Sequence, residues 1–283
     1  MKPNHEFHYR FGKRASAWRP GAHPGSALGA GEHFVAHTSL FARPDPRRID
    51  LRASLRDPRG DWLVRLARQR SHVPVAAVVD VSASMDFGAP SRKLDLVADF
   101  VSALGRACLA AGDPLSLSAF DMTCRDDLHL PPSRQPGLAD LLAARLRTAA
   151  CPARGHDGLS AALAPLAGRQ ALVFLVSDFH GYGRELESAL DLLGRARVTP
   201  IVVWSPAEIT PPNGEGLLRL RDLESGRLRE LWLRPRLRQR WQAAVAAHRE
   251  ALQARFRARG IRPFFLSDPF DGDALTRHFL EGT

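Results

Sequence analysis

From Val73 onward the chain alternates between short unbroken apolar runs and stretches with helical periodicity. The run VPVAAVVD (73–80) has strand length and no polar alternation, the pattern of a strand covered on both faces. Leu94, Val97, Val101, Leu104 and Cys108 then recur at helical spacing, and Gly112 closes that helix. PLSLSAF (114–120) alternates apolar with polar, which predicts an edge strand with one wet face. Residues 137–149 and 158–168 read as helices and ALVFLVSD (171–178) as a second buried strand. GRELESALDLLGRAR (183–197) reads as a helix and VTPIVVW (198–204) as a third buried strand. Leu alternates with Arg through 217–233, around Glu224-Ser225-Gly226, predicting a hairpin with one apolar face and one arginine face. A long helix over roughly 236–259, a strand at IRPFFLS and a final helix at DGDALTRHFL complete the pattern.

Strands alternating with helices predict an α/β fold, with a mainly parallel sheet, helices on both faces and right-handed crossovers. Residues 73–283 form this domain in that reading, and residues 1–72 an N-terminal arm. The arm opens irregularly: residues 19–33 are rich in Gly, Pro and Ala. "PDP" (44–46) and "DPRGD" (57–61) read as turns and WLVRLA (62–67) as a short strand.

Bulk composition, 45% hydrophobic and 25% charged over 283 residues, is that of an ordinary globular protein. Charge adds more. Between Leu217 and Arg262 thirteen arginines face four acids, nearly the whole net charge of +10. A basic face of this kind serves nucleic acid, an anionic membrane or an acidic partner protein. Few aromatics interleave with these arginines (Trp232, Trp241, Phe256), so base stacking is poorly supported and nucleic acid is the less favoured partner. Lysine occurs only at positions 2, 13 and 93. Three cysteines without C-x-x-C spacing point to a reducing compartment. No apolar stretch approaches the roughly 18 residues of a membrane helix, and residues 1–20 lack a leader-like apolar core. A cytoplasmic protein without membrane insertion is expected.

The chemistry gathers where two buried strands end. Asp80, Ser82 and Ser84 alternate, so their side chains can converge as the first strand runs into its loop, and Asp178 tips the second strand. In open α/β sheets ligands bind outside the carboxyl ends of the strands. All the donated atoms are oxygens, which suits Mg²⁺, Ca²⁺ or Mn²⁺ rather than Zn²⁺. Two acids and two hydroxyls leave such a cation under-neutralised and able to accept a carboxylate from another protein. Alternatively, Asp80 and its serines only shape a turn and cap the next helix.

DVSAS (80–84) followed by LVSD (175–178) on this pattern resembles the von Willebrand factor A fold with its metal-ion-dependent adhesion site. The upstream segment Pro44-Asp45-Pro46-Arg47-Arg48-Ile49-Asp50 resembles the G-D-D-x-R-x-I-D-W-like signature of a MoxR-associated bacterial branch of that fold, itself a domain of unknown function. Leu51 stands where that branch has Trp. The resemblance implies a metal site at Asp80, Ser82, Ser84 and Asp178. It also implies a threonine, for which Gly155-His156-Asp157-Gly158-Leu159 offers Asp157 instead. Either Asp157 ligates the ion, or the site holds none and the fold survives as a docking surface.

The expectation is therefore a non-catalytic interaction module carrying a divalent cation, Mg²⁺ foremost. The resemblance implies a MoxR-type AAA+ ATPase as partner, acting with it as a chaperone-like system that matures metal- or cofactor-containing client enzymes. Candidate partner-binding residues are Arg47, Arg48, His156, Arg219, Arg221, Arg227 and Arg229. Two rival readings are a metal-dependent hydrolase at the same rim, with His156 as its base, and a basic nucleic-acid-binding protein.

Overall fold

The computed structural model describes residues 6–9, 23–29, 33–151, 153, 155–223 and 226–281. Much of the Gly/Pro-rich opening (10–22 and 30–32) and Glu224 and Ser225 of the hairpin tip lie outside the described residues. The chain divides into two compact units.

The smaller unit lies within residues 11–73, with Ala111–Asp113. It holds β1 (His23–Gly29), β2 (His33–Ser39), the one-turn helix α1 (Leu51–Ser54) and β3 (Leu63–Ser71). The strands form an antiparallel sheet in the order β1-β3-β2, so the stretch read as irregular contributes two strands beside the foreseen one. Asp50 organises the turn at α1. Its Oδ1 accepts the Ala53 N–H at 3.1 Å, while its Oδ2 lies 2.7 Å from Arg65 Nε and 3.1 Å from His37 Nε2. The hydrogen bond from Arg65 holds this carboxyl well below the usual carboxylate range.

The larger unit takes residues 6–9, 74–110 and 114 onward. Along it run β4 (Val75–Asp80), α2 (Lys93–Ala111), β5 (Leu115–Phe120), β6 (Cys124–Ser133), α3 (Leu138–Thr148) and α4 (Leu159–Leu163). Next come β7 (Leu172–Ser177), α5 (Arg184–Leu192), β8 (Arg197–Val203), α6 (Pro206–Ile209), β9 (Gly216–Arg221) and β10 (Leu228–Leu233). The series closes with α7 (Pro235–Arg257), β11 (Phe264–Leu266) and α8 (Gly272–Glu281). The central sheet has the order β11-β8-β7-β4-β5-β6 and is parallel except for β6. This is a mixed α/β fold with helices packed on both faces.

The continuous apolar runs became the middle of the sheet: every residue of β4 and β7 is buried. On one face Ala76, Val78, Val173 and Leu175 pack against Leu163 of α4, Leu186 of α5 and Phe256 of α7. On the other, Phe100 of α2 lies 5.5 Å from the Phe174 ring, and Phe279 of α8 5.9 Å from it. The five residues foreseen as the inner stripe of α2 are all buried. Beside α2 runs α3, so close that a Cβ on Gly105 would stand 2.1 Å from that of Ala139.

The edge-strand expectation for residues 114–120 is corrected. β5 is not an edge strand, because β6 pairs with it antiparallel on its outer side. Its alternation reflects two half-buried serines, of which Ser116 donates to the Val75 carbonyl at 3.2 Å. β6, which reads CRDDLHLPPS, buries only Leu128 and Leu130 and carries the charges and prolines of a true edge. The arginine hairpin forms as foreseen, with Arg219 opposite Glu230, but its two faces are not cleanly divided. Leu217, Leu228 and Trp232 are exposed along with Arg219, Arg221 and Arg229. Among the described residues no helix is long and apolar enough to cross a membrane.

Candidate functional site at the strand ends

Parallel pairing aligns β4 and β7 residue for residue, Val79 opposite Val176, so both strands deliver their tips to one rim. Asp80 ends β4 and Asp178 follows the last residue of β7; each is about 1% exposed. Both backbones turn sharply there. The Ser82 N–H returns to Asp80 Oδ1 at 2.9 Å. Past β7, Phe179 takes the left-handed conformation at φ 57°, and the His180 N–H returns to Asp178 Oδ1 at 2.9 Å.

The two carboxylates are satisfied differently. Asp80 Oδ2 accepts from neutral hydroxyls, Ser177 Oγ at 2.7 Å and Tyr182 OH at 2.9 Å. Asp178 Oδ2 accepts from the Lys93 ammonium at 2.8 Å. Lys93, the first residue of α2, is 0% exposed, and its Nζ also lies 2.5 Å from Glu208 Oε1. Glu208 is fixed by a capping box on α6. Its Oε2 accepts the Ser205 N–H at 3.0 Å, and Ser205 Oγ accepts from Ala207 N.

Electrostatics follow from these partners. Burial raises the pKa of Asp80, and the charge of Asp178 raises it further. Burial pushes Asp178 upward, but the Lys93 ammonium and His180 together outweigh it and the net shift is down. For Lys93, burial disfavours the ammonium, while Asp178 and Glu208 more than restore it. The cluster thus keeps an ion-paired lysine in an almost dry place.

Most of the foreseen residues meet here. Asp80, Ser82, Ser84 and Asp178 share the rim, and the Ser82 and Ser84 hydroxyls are 3.3 Å apart. Asp157 is exposed in the neighbouring loop, and among the described residues no hydrogen bond joins it to Asp80 or Asp178. The His156 ring stacks on Tyr182 with centroids 3.8 Å apart, which places it beside Asp80's donor. Arg219, Arg221, Arg227 and Arg229 of the hairpin line a cavity of about 870 Å³. Ser84, Asp178, His180 and Glu208 line the same cavity. Arg47 and Arg48 instead line a cavity of about 1050 Å³ within the smaller unit.

Lys93, Ser177, His180, Tyr182 and Glu208 were not foreseen as parts of this site. Two signals were present. Ser205-Pro206-Ala207-Glu208 is a capping-box spacing, and His180 continues the alternation of Asp178. Asp178, His180 and Glu208 each offer one ligand atom, and these lie within 4.8 Å of one another, so the group could hold a metal ion. His180 adds a nitrogen to a donor set expected to be all oxygen.

The fold and site define a mixed α/β protein with a carboxylate-lined, arginine-walled pocket at the carboxyl ends of its parallel strands. Residues 44–251 match DUF58, a protein family of unknown function, and the chain belongs to that family. Among solved structures it is similar to an aerotolerance-related membrane protein from Bacteroides fragilis NCTC 9343. That match has 14% identity and a TM-score of 0.45, covering 74% of this chain and 98% of the other. An uncharacterized membrane spanning protein from Vibrio fischeri matches at 17% identity and a TM-score of 0.27, with 75% and 97% covered. Proximal thread matrix protein 1 from the mussel byssus matches at 14% identity and a TM-score of 0.34, with 46% of this chain and 37% of that one covered. No curated protein matches the chain.

Proposed function

We propose that the protein is a non-catalytic docking module whose strand-end pocket receives an acidic group of a partner protein. One observation carries the reading: four hairpin arginines and the rim residues Ser84, Asp178 and Glu208 line a single cavity. Arginine forks bind carboxylates bidentately, and clefts lined with charge attract the complementary partner. The motif resemblance supports a von Willebrand A-type fold and names the partner class: a MoxR-type AAA+ ATPase, together serving the maturation of metal- or cofactor-containing enzymes. The same resemblance implies Mg²⁺ near Asp80, Ser82 and Ser84. The 3.3 Å between the two hydroxyls suits oxygens sharing one ion, whereas Asp178 already pairs with Lys93.

The test is binding of a MoxR-type ATPase from the same host to the immobilised protein. The Arg221→Ala/Arg229→Ala variant is expected to bind about tenfold or more weakly, since each charge-assisted contact contributes on the order of 1.5 kcal/mol. Unchanged affinity in that variant would overturn the docking site.

A further inference from the structure

We propose that the cation of this pocket is carried by the chain itself: the Lys93 ammonium fills the seat between Asp178 and Glu208, and a divalent ion enters only when that ammonium is withdrawn. This inference concerns the same pocket but does not depend on a partner protein.

Lysine is rarely fully buried, and a charged one is tolerated only where it is paired. Lys93 meets that condition on two sides, 2.8 Å from Asp178 Oδ2 and 2.5 Å from Glu208 Oε1. It is the only lysine after position 13 in a chain that otherwise uses arginine. An ammonium is a compact point charge, closer in shape to a metal ion between two carboxylates than the planar fork of a guanidinium. The backbone holds it there, since the Lys93 N–H donates to the Phe87 carbonyl at 2.9 Å and Leu94 beside it is fully buried. The same two carboxylates, with His180, have the spacing of a three-ligand metal site. A metal ion on those oxygens, at about 2.1 Å, would stand only a few ångström from the buried ammonium, and the two charges repel. The two cations are therefore alternatives. With the lysine removed, two carboxylates and one imidazole form a donor set suited to Mn²⁺ or Zn²⁺.

The experiment follows ion uptake and thermal unfolding of the chelator-stripped full chain, using Mn²⁺ and Zn²⁺ as probes. Wild type is expected to bind neither ion at this seat, so that any uptake and Tm gain it shows at the Asp80 end are unchanged by Glu208→Gln. Lys93→Met is expected to bind one ion per chain, and its Tm to rise by about 5 to 10 °C at an ion concentration near a hundred times Kd. Adding Glu208→Gln to Lys93→Met should abolish that gain. A folded Lys93→Met that takes up no more ion than wild type overturns the proposal, as does a wild type whose tight Mn²⁺ binding is lost in Asp178→Asn. If Lys93→Met is unfolded without ions, recovery of the fold with Mn²⁺ but not with chelator supports the proposal. Lys93→Gln is read in the same way, and failure of both variants to fold with or without ions counts against it.

Discussion

Asp80 and Asp178 hold matching positions at the tips of neighbouring strands, yet they are treated in opposite ways. Both are buried to the same degree. Asp80 is surrounded by a backbone N–H and two hydroxyls, and its acidity is weakened. Asp178 meets an ammonium, and its acidity is strengthened. In a dry pocket, then, the charge of the partner, rather than burial alone, decides how firmly an acid holds its proton. The Asp80 end is a neutral hydrogen-bond network, and the Asp178 end is an ion-pair network reaching across to α6.

The sharpest way to break this contrast is to remove the charge partner. Asp178→Ala leaves Lys93 with Glu208 as its remaining carboxylate and is expected to lose about 3–5 kcal/mol in urea unfolding. Asp80→Asn removes a hydrogen-bonded acceptor but also a like charge beside Asp178, so a smaller loss of about 1–3 kcal/mol is expected in the same assay. If Asp80→Asn proves the costlier change, the two ends do not differ as described.

The pH dependence sharpens the comparison. The lowered folded pKa of Asp178 gives stability that is present above the unfolded carboxylate value, near about 4, and is lost as pH falls through the folded value. The raised pKa of Asp80 works the other way: its ionisation costs stability, and that cost is relieved as pH falls through its folded value. Urea midpoints taken without metal ions between about pH 3.5 and 7 should therefore fall more steeply toward acid in Asp80→Asn than in wild type, and less steeply in Asp178→Asn.

The smallest effect is expected in the hairpin. Arg219 pairs with Glu230 at 2.7 Å, but both side chains are more than half exposed, so Arg219→Ala should cost no more than about 0.2–1 kcal/mol. A larger loss would mean that the hairpin supports the fold as well as lining the pocket.

How much could be read from the chain depended on how local each cause was. β4, β7 and β8 were legible because unbroken apolar runs have few other uses, and α2 because its stripe recurs at helical spacing. β6 was hidden because an edge strand needs little apolar surface, so CRDDLHLPPS carries almost no periodic signal. Within the site, Asp80, Ser82, Ser84 and Asp178 could be found because strand ends are where such folds place chemistry. Lys93, Glu208 and the arginine wall come from α2, α6 and the hairpin, and only the folded chain brings them together. Asp157 rests on a motif position alone, and its side chain is exposed.

Phe7 has a consequence for the order in which this molecule is made. Its ring is 1% exposed and sits 6.1 Å from Phe100 and 6.4 Å from Phe270, while the adjacent His8 N–H donates to Thr276 on α8. The Phe7 side chain is thus sheltered in part by Phe270, which is synthesised more than 260 positions later. Until α8 has emerged, that aromatic nest stays open to water, and the unit can reach its final packing only once nearly all of these residues have been translated.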